Sequence, residues 1–219
     1  GMRTTSAKRL THGRRDKWQT DGVLIAKSLP DAPLNFAEIF NNTRPVECEI
    51  GSGKGAFLLA RAAARPEVNV LGIEYAHAYA AYTADRVRRA GLTNVRMLAC
   101  DAGKLFDRFM PAGSLLRLHI YFPDPWPKRK HHRRRLIQPP FLADARKALA
   151  VGGELIVVTD HLGYYQQIGR VLNRAEGFAR IPLPKMADAD GEIVGTNFER
   201  KYIAQGRPFF GQARLKYRR

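Results

Sequence analysis

Apolar residues along the chain fall into short runs, separated by longer stretches whose apolar positions are spaced for helices. Five runs predict strands: Val46 to Ile50, Asn69 to Glu74, Val95 to Ala99, Leu115 to Phe122 and Glu154 to Thr159. Between and after them, Lys54 to Arg65, Ala76 to Ala90, Phe141 to Ala150 and Leu162 to Glu176 predict helices, with few breakers inside. Gly91 and the Gly152-Gly153 pair sit where helix C-termini are expected, since glycine enters the left-handed turn there without steric cost. Arg180 to Pro184, with Asp188 to Gly191, reads as a loop. Strands alternating with helices predict an α/β domain on a mostly parallel sheet. Residues 1–40 read as a basic, partly ordered arm, and residues 41–219 as a single domain with a basic C-terminal end.

Length and composition narrow the class. The chain has 219 residues and is 45% hydrophobic, enough for a sizeable core and too much for wholesale disorder. No apolar stretch approaches the ~20 residues needed to cross a bilayer, and no signal peptide is evident, so a cytoplasmic protein without a membrane anchor is expected. Two cysteines, Cys48 and Cys100, lie in apolar runs and read as buried thiols in a reducing compartment.

The net charge of +17 is unevenly placed. Residues 1–20 carry six basic side chains and one acidic; residues 128–135 carry six basic and residues 200–219 seven, with no acids. The remainder is close to neutral. A near-neutral body with basic segments predicts a small-molecule site in the body and a polyanion on the surface. The composition leaves homo-oligomerisation open.

Three strand tips carry chemistry. The first leads into Glu49-Ile50-Gly51-Ser52-Gly53-Lys54-Gly55, where glycines permit a tight turn and close ligand approach ahead of a helix N-terminus. Its spacing is neither the dinucleotide fingerprint nor a P-loop, which disfavours a nicotinamide oxidoreductase and an NTPase. The second strand ends at Glu74, a carboxylate suited to accept both hydroxyl hydrogens of a ribose. The third ends at Asp101. This glycine loop with three successive acids resembles the class I S-adenosylmethionine-dependent methyltransferases. The resemblance implies a Rossmann-like fold with a mostly parallel seven-stranded sheet and helices on both faces. It also implies S-adenosyl-L-methionine as cofactor, with Glu49 near its methionine end, Glu74 on the ribose and Asp101 beside the adenine, Gly51 and Gly53 forming the loop.

The fourth strand runs into Phe122-Pro123-Asp124-Pro125-Trp126-Pro127-Lys128, followed by a basic run to Arg135. Prolines flanking Asp124 and Trp126 restrict the backbone, so a carboxylate and an indole are held just past a strand tip. The basic residues that follow suit phosphates. Adjacent His131 and His132 lack the spacing of a metal site, and none is expected.

These segments, with Thr159-Asp160 and Thr196-Asn197-Phe198-Glu199-Arg200-Lys201-Tyr202 followed by Gly206-Arg207-Pro208, are similar to the bacterial tRNA (guanine-N7-)-methyltransferases over roughly residues 45–210. The resemblance implies methyl transfer to N7 of guanine 46 in the tRNA variable loop. It makes Asp124 the active-site aspartate, next to the methyl donor, and assigns Lys128, Asp160, Thr196, Asn197, Phe198 and Glu199 to contacts with the RNA substrate. Another base methyltransferase, or a non-catalytic RNA-binding relative, is the alternative, and only the resemblance favours N7.

Overall fold

The five predicted runs form the centre of one sheet in a computed structural model, which describes residues 18–185 and 197–218. They are β2 (Val46–Ile50), β3 (Asn69–Ile73), β4 (Val95–Leu98), β5 (Leu115–Tyr121) and β6 (Leu149–Thr159). β2 and β3 are buried at every position, although β2 alternates apolar residues with Glu47 and Glu49, so both of those carboxylates are taken inside. The helices are α1 (Phe36–Phe40), α2 (Ala56–Ala64), α3 (His77–Arg89), α4 (Ala102–Arg108), α5 (Pro139–Ala148), α6 (Leu162–Arg174) and α7 (Asn197–Ala204).

The sheet has eight strands rather than seven, in the order β1-β4-β3-β2-β5-β6-β8-β7. The additional edge strand, β1 (Leu24–Ala26), comes from the segment expected to be an arm. Its three residues are too few to show a period. All neighbouring strands pair in parallel except those flanking β8 (Phe210–Lys216), which runs antiparallel between β6 and β7 (Phe178–Ile181). Two local readings change. Arg180 lies in β7 rather than a loop, and Gly152-Gly153 lie inside β6, which begins directly after α5. Residues 188–191 lie outside the described residues.

Helices α2, α3 and α7 pack on one face of the sheet and α1, α4, α5 and α6 on the other. Fully buried Leu58, Leu71, Leu118 and Ile120 lie in these layers, each burial contributing about 1.5–3 kcal/mol. Cys48 and Cys100 are buried free thiols, and burial pushes both up, Cys100 to about 11.

The basic C-terminal end is partly structural. Arg214 of β8 is buried and donates to Ala213 O and to Asn173 Oδ1 at 3.0 Å, while Lys216 Nζ donates to Leu149 O at 2.6 Å. β2 and β5 are parallel neighbours from which the strand order runs outward in opposite directions, so the crevice at their C-terminal ends is where an open α/β sheet places a ligand.

Candidate active site

The loop after β2 turns through Gly51, Gly53 and Gly55, all at positive φ, before α2 begins. Gly55 caps α2 at φ 83°, and a Cβ there would sit 2.5 Å from Thr83 Cγ2, so glycine alone lets α2 approach α3. Thr83 Oγ1 donates to Gly53 O at 2.9 Å and fixes the loop to α3. By contrast, a Cβ at Gly51 or Gly53 would meet nothing within 4 Å, so the outer side of the loop is open.

Behind it, Glu49 is 3% exposed and its Oε1 has no hydrogen-bond partner; Ser52 Oγ is likewise buried without one. Burial and the nearby Glu74 charge push the Glu49 carboxyl up to about 8. Glu74 itself accepts Gly53 N–H at 2.7 Å and Ala76 N–H at 3.1 Å. A buried carboxyl with an unused acceptor, facing an open glycine loop, fits the cationic end of a sulfonium amino acid.

Asp101 caps α4, accepting Lys104 N–H at 2.9 Å. It also borders a cavity of about 560 Å³ with Tyr75, Cys100, Lys104 and the β1–α1 connection at Lys27, Ser28 and Leu29. The cavity joins the β3 and β4 tips and has room for an adenosine. Sequence reasoning missed the β1–α1 residues, whose ordinary composition carries no signal. It also passed over Tyr75, 76% exposed beside Glu74, which adjacency to that acid could have flagged.

Past β5 the backbone takes two unusual turns, with Phe122 at φ 50° and Trp126 at φ 42°. Asp124 Oδ1 accepts Trp126 N–H at 3.1 Å, closing the proline-bounded turn on itself. Trp126 is half-buried: Arg134 lies over its ring at 4.9 Å and His131 meets it edge-on at 6.0 Å. A 3-10 helix (Arg129–Arg134) follows, with Lys128, Arg129, Lys130, Arg133 and Arg134 exposed. Arg135 departs from the expected phosphate-binding run. It is buried, donating to Pro125 O at 2.6 Å and Gln167 Oε1 at 3.0 Å, so it braces the proline-bounded turn against α6.

Asp160, just past β6, pairs with Arg207 at 3.2 Å, and the Arg207 guanidinium lies 4.3 Å from the Tyr202 ring centroid. Tyr202 in turn packs edge-on against Phe122 at 5.4 Å, linking α7 to the proline-bounded turn. Glu199 is fully buried in α7. Thr196 and the side chains of Asn197 and Phe198 lie outside the described residues. The structure thus gathers Glu49, Glu74, Asp101, Asp124 and Asp160 at the C-terminal edge of one sheet, with Lys128 at its basic rim.

Beneath the site is a buried polar cluster that the sequence did not reveal, because His119 sits within an apolar strand. Arg61 donates to both Glu47 oxygens, at 3.2 and 2.9 Å, and His119 Nε2 lies 2.6 Å from Oε1. Burial alone would raise Glu47, but hydrogen bonds from His119 and Arg61 hold it at about 2. Burial lowers His119 despite Glu47, so the ring is neutral near pH 7; its Nε2–H donates to Glu47 and its Nδ1 accepts from Tyr121.

A family model described as a putative methyltransferase matches residues 43–211. The chain is 38% identical over 172 residues to the tRNA (guanine-N(7)-)-methyltransferase of Pseudomonas syringae pv. tomato, covering 78% of this chain and 70% of that protein. It is 34% identical over 205 residues to the protein of that name from Photobacterium profundum, covering 90% and 80%. Among solved structures, the antibiotic-resistance methyltransferase Kmr is similar at a TM-score of 0.56 and 18% identity, covering 88% of this chain and 98% of that one. A SAM dependent methyltransferase from Aquifex aeolicus is similar at 0.55 and 14%, covering 83% and 87%. Those structures show the fold alone. The family model over residues 43–211 and these relatives show that the chain belongs to the tRNA (guanine-N(7)-)-methyltransferase family.

Proposed function

We propose that this protein methylates tRNA, transferring the methyl group of S-adenosyl-L-methionine to N7 of guanine 46 in the variable loop. The observation that carries the reading is the proline-bounded turn. It holds Asp124 at the strand-order reversal, between an open glycine loop and a run of exposed cations. When bound, the donor supplies an electrophilic methyl on a sulfonium sulfur. Glu74 would hold its ribose, the cavity beside Asp101 would take its adenine, and Glu49 would face its methionine end.

Guanine N7 carries an in-plane lone pair and no proton, so its attack on the methyl needs no obligatory base. The site would therefore need to hold the base in line with the donor's methyl group and to accommodate the positive charge that the guanine ring gains on methylation. Asp124 orients the base through its N1–H and amino hydrogens and stabilises that charge. Lys128 and the 3-10 helix bind phosphates, while Asp160 and the residue 196–199 segment contact the RNA. A protein acting on tRNA works in the cytoplasm, and among the described residues no helix is long and apolar enough to cross a membrane.

Two measurements test the class of reaction. Calorimetric titration is expected to show binding of S-adenosylhomocysteine and none of NAD. Methyl-labelled donor is expected to transfer label to unmodified tRNA; a folded protein that binds NAD, or labels no RNA, overturns the reading.

A further inference from the structure

A groove of about 450 Å³ runs between α5 and α6, outside the site described above. Leu142, Val171 and Phe178 give it an apolar lining, and Arg146, Arg170 and Arg174 bring three guanidinium groups to it. Arg170 and Arg174 lie one turn apart on α6, exposed, and make no ion pair among the described residues. Arg146 donates to Tyr217 O at 3.3 Å, while its Nε is buried without a partner. Glu176 also lines the groove but has interactions of its own.

The groove adjoins the basic segment. Arg135, at the end of the 3-10 helix, bonds to Gln167, one turn before Arg170 on α6. Burial lowers the Arg135 pKa, and the charge of Arg170 lowers it further, so the two guanidinium groups sense each other. Exposed cations therefore continue from the catalytic rim onto the α5–α6 face. The 13 residues of α6 span ~20 Å, placing its far end well away from the methylation centre.

We propose that the α5–α6 groove is a second RNA-backbone site, continuous with residues 128–134, which holds sugar–phosphate chain of the tRNA remote from the base being methylated. The inference rests on the tRNA reading above. Planar guanidinium forks match phosphate oxygens, and the apolar lining between them suits a ribose or base face. An acidic peptide would exploit the same charge but has no connection to the catalytic rim.

The test compares two double variants that lose equal charge. Arg170→Ala/Arg174→Ala removes groove cations; Arg65→Ala/Arg108→Ala removes exposed cations elsewhere. tRNA affinity is measured by fluorescence anisotropy across a salt series, with cofactor affinity and melting temperature checked for each. The groove variant is expected to bind tRNA about ten-fold more weakly at low salt, with a slope of log affinity against log salt shallower by about two. The control variant is expected to keep the parent slope. Equal changes in both variants, or an unchanged slope in the groove variant, overturn the proposal. If the parent methylates tRNA and the groove variant behaves as the parent, only the groove falls; if the parent binds no tRNA, the functional reading falls with it.

Discussion

Glu74 Oε2 accepts the Gly53 N–H at 2.7 Å, while Oε1 accepts the Ala76 N–H at 3.1 Å. One carboxylate therefore ties the glycine loop to the entry of α3, and each of its oxygens keeps a lone pair beyond the one so used, as the proposed ribose contact requires. Glu74→Ala is expected to weaken S-adenosylmethionine binding about ten- to a hundred-fold, the cost of roughly 1.5–3 kcal/mol for hydrogen bonds to a charged acceptor. Calorimetry on the folded variant checks this, and parent affinity would remove Glu74 from the site.

Glu49 predicts a pH dependence of both stability and binding. With its carboxyl raised to about 8, the folded protein keeps a proton that the unfolded chain releases near 4.5, so its contribution to stability falls as pH rises between those values. Glu49→Gln is expected to flatten this limb and gain at least about 1 kcal/mol at pH 8. A bound cation favours the ionised form, so donor binding near pH 7 releases a proton and tightens as pH rises toward 8. Calorimetry in buffers of different ionisation enthalpy detects that proton; identical heats would contradict the placement of Glu49.

The Arg61–Glu47 pair makes the opposite prediction at acid pH. Because Glu47 is held at about 2, its stabilisation is present above about 4.5 and is lost as pH falls toward 2. Arg61→Ala leaves a buried carboxylate short of its cation and is expected to cost about 3–5 kcal/mol in urea unfolding. A loss below about 1 kcal/mol would mean that His119 alone satisfies Glu47.

For Asp124, Asn preserves size while replacing an acceptor with a donor against the donor edge of guanine. Single-turnover methyl transfer by Asp124→Asn, at saturating donor and tRNA, is expected to fall about a hundred- to a thousand-fold. A rate within a few-fold of the parent would make Asp124 a structural residue of the turn.

How far the fold was legible depended on burial. β3 to β6 were readable from their apolar runs and β2 from its alternation of apolar residues with Glu47 and Glu49, while Glu49, Glu74, Asp101 and Asp124 were readable because each stands at or just past a strand tip. β8 was not, since Arg214 and Lys216 give Phe210–Lys216 the look of a basic tail. Their charges are taken up by Asn173 Oδ1 and backbone carbonyls, a tertiary fact without local signature. Arg135 misled for the same reason: six cations in eight residues read as one phosphate-binding surface, yet one of them turns inward. His119 was hidden differently, as a polar residue inside an apolar strand whose partners, Glu47 and Arg61, come from β2 and α2.

The central claim is the identity of the methylated atom. Unmodified tRNA incubated with the protein and S-adenosylmethionine, then digested and mapped by mass spectrometry, is predicted to yield 7-methylguanosine at position 46 of the variable loop and at no other guanine. Methylation of an exocyclic amine, of another position, or of no nucleoside at all by the folded protein would contradict the account.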